Sequence, residues 1–262
     1  MSDRFKPREI IEGLRRIKMV VEYDGAAFHG WQIQTDPPVP TIEAEILAAF
    51  KQITGAHPED LVAAGRTDRG VHATKMTCHL DTFAEIQLNK IQTGLNRFLP
   101  DTIAVREVAE VEQTFHARYS CIGRKYTYKI LNRRNRSPLH HNRAEHVPHK
   151  LDLAEMQRAA KVLEGEHDFS SFRSAECQGK SPVTTLKSIK LTRDEDDIIH
   201  IDLDGITFLH NMVRIITGTL IEVGSGKRTA EDVQALLEAK DRTQAGKTAN
   251  PNGLYFVAAL YE

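Results

Sequence analysis

The sequence predicts an α+β protein of two similar halves, each a ferredoxin-like (split βαβ) arrangement with an antiparallel sheet flanked by helices. Three observations lead to this. Residues 1–112 carry periodic segments in the order strand, helix, strand, strand, helix, strand; residues 113–262 repeat that order; and 262 residues suffice for two small domains. The repeat lies in element order and not in residue identity. Two facing sheets would leave a cleft between the halves, where we expect the functional site.

Each segment of the first half has its own signal. A β-branched run closed by Asp-Gly predicts a strand at residues 17–23. Thr41 is placed to cap a helix whose apolar face includes Ile42 and Phe50, and Gly55 would end it. The other predicted elements are strands at 61–64, 75–80 and 103–111 and a helix at 86–98.

The second half is read in the same way. Its predicted elements are strands at 125–131, 185–192, 198–203 and 254–260 and helices at 152–163, 208–223 and 229–239. The helix at 208–223 is apolar nearly all round, and we therefore expect it to be buried.

Composition restricts the class of protein. The net charge of -1 does not indicate a nucleic-acid-binding protein, so RNA binding would require basic residues clustered on one face. Three widely spaced cysteines are typical of thiols in a reducing cytosol. No signal peptide or membrane-spanning stretch is evident, which predicts a soluble cytoplasmic protein with no membrane partner. The twelve histidines lack HExxH or Cys/His finger spacing, so we expect no metal site.

Residues 65–73, Gly-Arg-Thr-Asp-Arg-Gly-Val-His-Ala, are the segment that carries chemistry. Its glycines let the backbone turn tightly and let another molecule approach. The carboxylate of Asp68 lies between Arg66 and Arg69, and opposite charge keeps a carboxylate ionised and able to act as a nucleophile. Taken alone, an Arg-Thr-Asp triplet more often marks an aspartate that caps a turn.

The wider sequence resembles the tRNA pseudouridine synthase A (TruA) family along nearly its whole length. The matching motifs are Glu22-Tyr23-Asp24-Gly25 with Phe28, Gly30-Trp31-Gln32, the 65–73 segment, Leu99-Pro100, Phe115-His116-Ala117-Arg118, Arg124-Lys125-Tyr126-Thr127-Tyr128, Gly165, His167-Asp168-Phe169, Ser171-Phe172-Arg173, Phe208, His210, Met212-Val213-Arg214, Gly218, Ala239-Lys240-Asp241-Arg242 and Gly253-Leu254-Tyr255. This ordered string is far more specific than any single motif.

The resemblance implies a cofactor-independent isomerase that converts uridine to pseudouridine in the anticodon stem-loop of tRNA, at positions 38–40. The family's catalytic aspartate corresponds to Asp68. Its carboxylate either attacks the sugar or assists formation of a glycal by proton abstraction, and the sequence leaves both routes open. Family members form homodimers in which one tRNA touches both chains, so tRNA and a second copy of the chain are the expected partners.

The same resemblance implies further site residues, each with a simpler alternative. Tyr126 corresponds to the tyrosine that stacks on the flipped uracil, although a core tyrosine is the alternative and Tyr128 shares its strand parity. Arg214, on the apolar helix, is expected to pair with Asp68 unless its stem reaches solvent. Leu254 would form an apolar wall beneath the uracil, or simply pack in the core.

Arg66 is expected to contact phosphate or to fill the space left by the flipped base. Basic residues cluster in one strand and loop, where Arg124, Lys125, Lys129 and Arg133 are the predicted RNA-binding set, with Arg134 and Arg136 nearby. Arg15, Arg16 and Lys18 form a second cluster. A solvated charged face is the alternative for both.

Two departures from the family concern contacts near the site. Arg69 stands where the family often has a small residue, and Lys-Met-Thr at 75–77 replaces a stretch that commonly carries Gly and Gln. Three other functions stay open: an RNA-binding protein of the same fold without activity, a metal-dependent hydrolase using the histidines, and a synthase acting on other RNA sites.

Overall fold

The computed structural model describes residues 10–177 and 181–262 and has a mixed α+β architecture, as predicted. Its contacts group the chain into two compact units. The first comprises the residues up to Ile122 together with Phe256–Glu262, and the second comprises Gly123–Tyr255. The predicted division after residue 112 lies earlier in the chain, and it assigned the whole last strand to the second half.

Six strands and α-helices of the first unit precede Ile122. They are β1 (Arg15–Tyr23), α1 (Ile42–Thr54), β2 (Asp60–Ala63), β3 (His72–Thr82), α2 (Leu88–Phe98) and β4 (Ile103–Val111). β1 lies between β4 and β3, β2 pairs with β3, and every pairing is antiparallel. This is the strand order of the predicted split βαβ arrangement, which is therefore confirmed for this unit.

Helix α1 forms as its sequence signals predict. The Thr41 hydroxyl accepts a hydrogen bond from the Ala44 amide at 3.4 Å, and the helix ends at Gly55, whose φ of 77° is left-handed. Ile46 and Phe50 on its apolar face are fully buried. Burial of two such side chains stabilises the unit by roughly 3–6 kcal/mol relative to their exposure.

The predicted basic cluster at the start of β1 is wrong for Arg16, which is buried; an RNA-binding role for Lys18 stays a prediction. Arg16 is only 4% exposed, and its guanidinium binds the carboxylate of Asp81 through contacts of 2.7 and 2.5 Å. It also donates to the carbonyl oxygens of Gln113 and Phe115. Arg15 is engaged as well, with the carboxylate of Glu110 at 2.7 Å. These two arginines hold the first unit together and present little free charge.

The buried pair supports a stability prediction. Arg16→Met should lower the free energy of unfolding by about 3–5 kcal/mol, because it leaves the carboxylate of Asp81 buried without its partner. Urea unfolding followed by circular dichroism measures this. Arg106→Met is the matched control, since Arg106 pairs with Glu22 at 3.1 Å on the surface and should cost less than about 1 kcal/mol. Equal losses for both variants would contradict the prediction.

The second unit contains the remaining strands and α-helices. They are β5 (Gly123–Leu131), β6 (Glu145–His146), α3 (Leu153–Val162), β7 (Gly165–Asp168), β8 (Val183–Arg193), β9 (Ile198–Gly205), α4 (Met212–Gly224), α5 (Ala230–Ala239) and β10 (Leu254–Leu260), whose first two residues belong here. β9 lies antiparallel between β5 and β8. The short strands β6 and β7, which carry no periodic signal, were not predicted; they pair with β5 and β8.

Helix α4 is buried as predicted but starts later. Ten of its thirteen residues are buried. The predicted start at Phe208 is wrong, because residues 206–211 are irregular and Asn211 takes a left-handed conformation with φ of 62° before the helix begins at Met212. Gly218 lets another segment approach closely: a Cβ there would lie 1.8 Å from the carbonyl oxygen of Lys247.

Among the helices within residues 10–177 and 181–262, none is both long and apolar enough to cross a lipid bilayer.

Candidate active site

Asp68 lies in the loop that joins β2 to β3, where its side chain is half-buried. The loop is held through its neighbour Thr67, which is only 7% exposed. The Thr67 carbonyl accepts a hydrogen bond from the Trp31 amide at 3.0 Å, and its hydroxyl lies 2.8 Å from that of Tyr23. The Val71 amide donates to the Asp68 carbonyl at 3.1 Å. Fixed contacts on both sides therefore position the carboxylate.

Two glycines of the segment after β1 allow this loop to sit close to it. A Cβ on Gly25 would lie 1.9 Å from the carbonyl oxygen of Val71. A Cβ on Gly30, whose φ is 95°, would lie 2.5 Å from the carbonyl oxygen of Thr67 and 3.1 Å from the carbonyl carbon of Asp68. Only glycine fits such backbone-to-backbone contact. The motifs at residues 22–25 and 30–32 thus pack directly against the loop that carries Asp68.

His72 is a supporting residue that our sequence reasoning did not assign. It is 2% exposed and lies where the Asp68 loop enters β3. Its Nδ1 lies 3.1 Å from the Gly25 amide nitrogen and 3.1 Å from Oδ1 of Asp24. His72 therefore ties the turn after β1 to the end of the loop. Its place in the 65–73 segment was the available signal, but a buried histidine cannot be told from an exposed one by pattern alone.

The two arginines that flank Asp68 are both exposed. The predicted contact of Arg66 with phosphate needs such exposure, and Arg69 adds a second accessible cation beside the carboxylate. Burial raises the pKa of nearby Glu43, and the positive charge of Arg66 and a hydrogen bond from the Ile33 amide partly offset that rise. The outer side of the loop therefore carries two exposed guanidinium groups.

In the second unit, the guanidinium of Arg214 is held by the protein. Its Nε donates to the Ala249 carbonyl at 2.8 Å, and its Nη1 donates to Oδ1 of Asn211 at 2.8 Å. The Ala249 amide donates in return to the Arg214 carbonyl at 3.1 Å. These contacts fix the direction of a charged side chain on an otherwise apolar helix. Its pairing with Asp68 stays a prediction.

The two tyrosines of β5 differ in their surroundings. Tyr128 is fully buried, and its hydroxyl lies 2.6 Å from both Oε2 of Glu145 and the Asn250 carbonyl oxygen. Burial and the negative charge of Glu145 raise the pKa of Tyr128 well above its ordinary value, so it stays a protonated structural donor. Tyr126 is half-buried, with its ring edge-on to Phe208 at 4.8 Å between centroids. The core-tyrosine alternative therefore describes Tyr128, and the stacking role of Tyr126 stays a prediction.

Leu254 begins β10 and is 6% exposed. The ammonium of Lys129 lies 4.4 Å from the centroid of the Tyr255 ring, so those two side chains share one face of the unit's sheet. Because side chains alternate along a strand, Leu254 points to the opposite face, as do Tyr126 and Tyr128. Leu254 and Tyr126 thus lie on one side, as a uracil pocket would require.

The Tyr128 contacts give a second stability prediction. Tyr128→Phe should lower the free energy of unfolding by about 1–3 kcal/mol, because the hydroxyl of a fully buried ring loses its hydrogen bonding to the Glu145 carboxylate and the Asn250 carbonyl. Chemical denaturation measures it. Tyr255→Phe is the matched control: its hydroxyl donates to the exposed Arg143 carbonyl at 2.8 Å, and its loss should cost less than about 1 kcal/mol. A Tyr128→Phe protein as stable as wild type would contradict the structural role.

The predicted RNA-binding residues do not form one surface. Lys125 lies 3.5 Å from the carboxylate of Asp204, and by strand alternation it shares with Lys129 the face opposite Tyr126. Arg124 lies on the Tyr126 face and donates to the Ile206 carbonyl at 3.2 Å. Arg133 follows the strand, and its Nε donates to the Asn135 carbonyl at 3.1 Å. Asp204 thus compensates one of the four cations.

Within residues 10–177 and 181–262, no three His, Cys, Asp or Glu side chains gather in a way that could hold a metal ion.

A family model described as tRNA pseudouridine synthase matches residues 19–120 and 159–262. The tRNA pseudouridine synthase A of Acetivibrio thermocellus is 44% identical over 95% of this chain and 100% of its own. That of Pseudoalteromonas atlantica is 46% identical over 94% and 92%, and that of Neisseria meningitidis serogroup C is 44% identical over the same shares.

Among solved structures, a chain of a Cbf5-Nop10-Gar1 complex is 12% identical with a TM-score of 0.36, covering 98% of this chain and 60% of that one. A similarity this distant adds nothing to the assignment. The family match and the near full-length relatives above 40% identity show that the chain belongs to the tRNA pseudouridine synthase family.

Proposed function

We propose that this protein isomerises uridine to pseudouridine in the anticodon arm of tRNA, with Asp68 as its catalytic carboxylate. The observation that carries the proposal is the way in which backbone contacts fix the loop around Asp68. Backbone contacts from Trp31, Gly30 and Gly25 hold it, and exposed Arg66 and Arg69 flank its carboxylate. A protein that only bound RNA would gain nothing from a fixed anion among its basic residues, since that anion repels phosphate.

The reaction conserves every atom of the nucleotide. The bond between C1′ of the ribose and N1 of uracil breaks, the base turns, and a bond forms between C1′ and C5. The proton on C5 is lost and N1 gains one, so no oxidant, reductant or cofactor enters the balance. Asp68 either attacks C1′ to form a sugar ester or takes the C2′ proton to form a glycal.

The other site residues act on the displaced base. A uridine within a stem-loop must leave its stack before the sugar can be reached. In this proposal the ring of Tyr126 stacks on the uracil and Leu254 forms an apolar wall beneath it. Arg214, already aimed by Ala249 and Asn211, pairs with Asp68 and keeps it ionised. Arg66 contacts phosphate beside the flipped nucleotide.

The proposal is tested by incubating purified protein with unmodified tRNA transcripts and mapping pseudouridine at nucleotide resolution. We expect pseudouridine in the anticodon arm, equally with protein dialysed against a chelator. Binding without conversion would favour an RNA-binding protein, and conversion at other uridines would favour a synthase with different sites. Loss of activity after chelation would favour the metal-dependent alternative.

We further propose that the protein works in the cytoplasm as a homodimer, as its family resemblance implies. Size-exclusion chromatography with light scattering at micromolar concentration tests the oligomeric state. A purely monomeric protein would count against the dimer.

A further inference from the structure

A cleft of about 760 Å³ opens in the second unit, at the end of β5 remote from Tyr126. Its wall includes Asn132, which directly follows that strand, together with Pro148 and residues 150–153 at the start of α3. Arg193 and Asp197 at the tip of the β8–β9 hairpin complete it, with Gly224 at the end of α4. None of the residues that line this cleft belongs to the Asp68 loop or to the residues expected to contact the uracil.

The cleft is rich in positive charge. Four cations line it, namely Arg133, Arg134, Lys150 and Arg193. Of its two acids, Asp152 is occupied as the cap of α3, where it accepts from the Ala154 amide at 3.0 Å. Asp197 lies 4.0 Å from Arg193. Within residues 10–177 and 181–262, neither Arg134 nor Lys150 forms an ion pair, so the cleft has unbalanced charge for an anion to neutralise.

One of its cations is fixed in advance. Arg193 donates to both oxygens of Asn132, to Oδ1 at 2.8 Å and to the carbonyl oxygen at 3.3 Å. Asn132 is 5% exposed, and its amide donates to the carbonyls of Val147 and His149. A guanidinium held in this way loses little entropy on binding and matches the geometry of a phosphate.

The position of the cleft decides which phosphate it can reach. Asn132 lies six positions after Tyr126, one residue past the end of β5, which corresponds to about 20 Å at the rise of a β-strand. That span exceeds the size of one nucleotide. A phosphate in the cleft therefore belongs to a part of the RNA remote from the base that stacks on Tyr126.

We infer that this cleft binds backbone phosphates of the tRNA at a distance from the target uridine and so helps to hold the substrate. The inference rests on the proposed function. A contact that the bound substrate and the transition state share equally lowers KM and leaves kcat unchanged. A bound phosphate would also neutralise the positive charge of Arg134 and Lys150. Lys125, in contrast, already has an anionic partner in Asp204.

The test is the salt dependence of tRNA binding. Arg134→Gln and Lys150→Gln, singly and together, should weaken binding by roughly five- to eight-fold for each cation removed, at about 0.1 M monovalent salt. The slope of log K against log salt should fall by about one for each phosphate interaction that a substitution removes. At saturating tRNA the rate of conversion should be unchanged, while KM rises as the affinity falls.

Lys187→Gln is the matched control, because Lys187 is an exposed cation of β8 outside the cleft. The affinity of the Lys187→Gln variant for tRNA should stay within about two-fold of wild type, because an exposed charge outside the cleft acts only through the screened electrostatic field of the whole protein. Equal effects of the control and cleft variants, or unchanged affinity and salt slope in the double variant, would overturn the inference. Neither outcome bears on conversion by the wild type, which tests the proposed function separately.

Discussion

Asp68→Asn is expected to abolish pseudouridine formation while tRNA binding persists. The substitution keeps the size and shape of the side chain but removes the charge and the nucleophilic oxygen. Loss of a group that forms or breaks a bond typically costs about a thousand-fold or more in kcat. Binding should be unchanged or tighter, because an anion that repels phosphate is gone. Single-turnover conversion and filter binding, measured on the same preparation, separate the two quantities.

The control is Asp101→Asn, which removes a carboxylate from an exposed position of the same unit. It should leave the rate within about two-fold of wild type, since surface substitutions away from a site have small effects. An Asp68→Asn protein that retained a tenth or more of the wild-type rate would refute the catalytic role. A variant that lost binding and conversion together would indicate a displaced loop instead.

Much of the fold could be predicted because its signals are local. The Thr41 cap, the Gly55 stop and the apolar face between them lie within one short stretch, and α1 forms there. The start of α4 could not be predicted in this way. The apolar residues before Met212 continue the helical pattern, but the backbone of residues 206–211 is irregular and ends in the left-handed conformation of Asn211. Asparagine tolerates that conformation, but its identity alone does not require it.

The site shows the same division between local and distant causes. Tyr126 and Tyr128 have the same parity, and the partner that separates them, Glu145, lies 17 residues further along the chain. Arg16 looks like a surface cation until Asp81, 65 residues away, is brought against it. Charge and parity are visible in a sequence, whereas compensation and burial depend on contacts that only the fold creates.

Gly30→Ala is expected to disturb the site strongly without touching a reacting group. The new Cβ would lie 2.5 Å from the Thr67 carbonyl oxygen and 3.3 Å from the Arg69 amide nitrogen. These are backbone atoms of the Asp68 loop, so no flexible side chain can move aside. The loop itself must shift, and a displacement of about 1 Å can cost roughly a hundred-fold in rate. Single-turnover conversion of tRNA is the measurement.

Gly55→Ala separates this effect from backbone strain. Gly55 has a φ of 77°, comparable with the 95° of Gly30, but a Cβ there meets nothing within 4 Å. Both variants should lose about 1–2 kcal/mol of stability from the left-handed conformation, with a further loss from the collision at Gly30. Only Gly30→Ala should lose activity at temperatures where both proteins are folded. A Gly30→Ala enzyme with normal turnover would mean that catalysis tolerates movement of the Asp68 loop. A slow Gly30→Ala enzyme beside a normal Gly55→Ala enzyme would tie the rate to the position of one carboxylate.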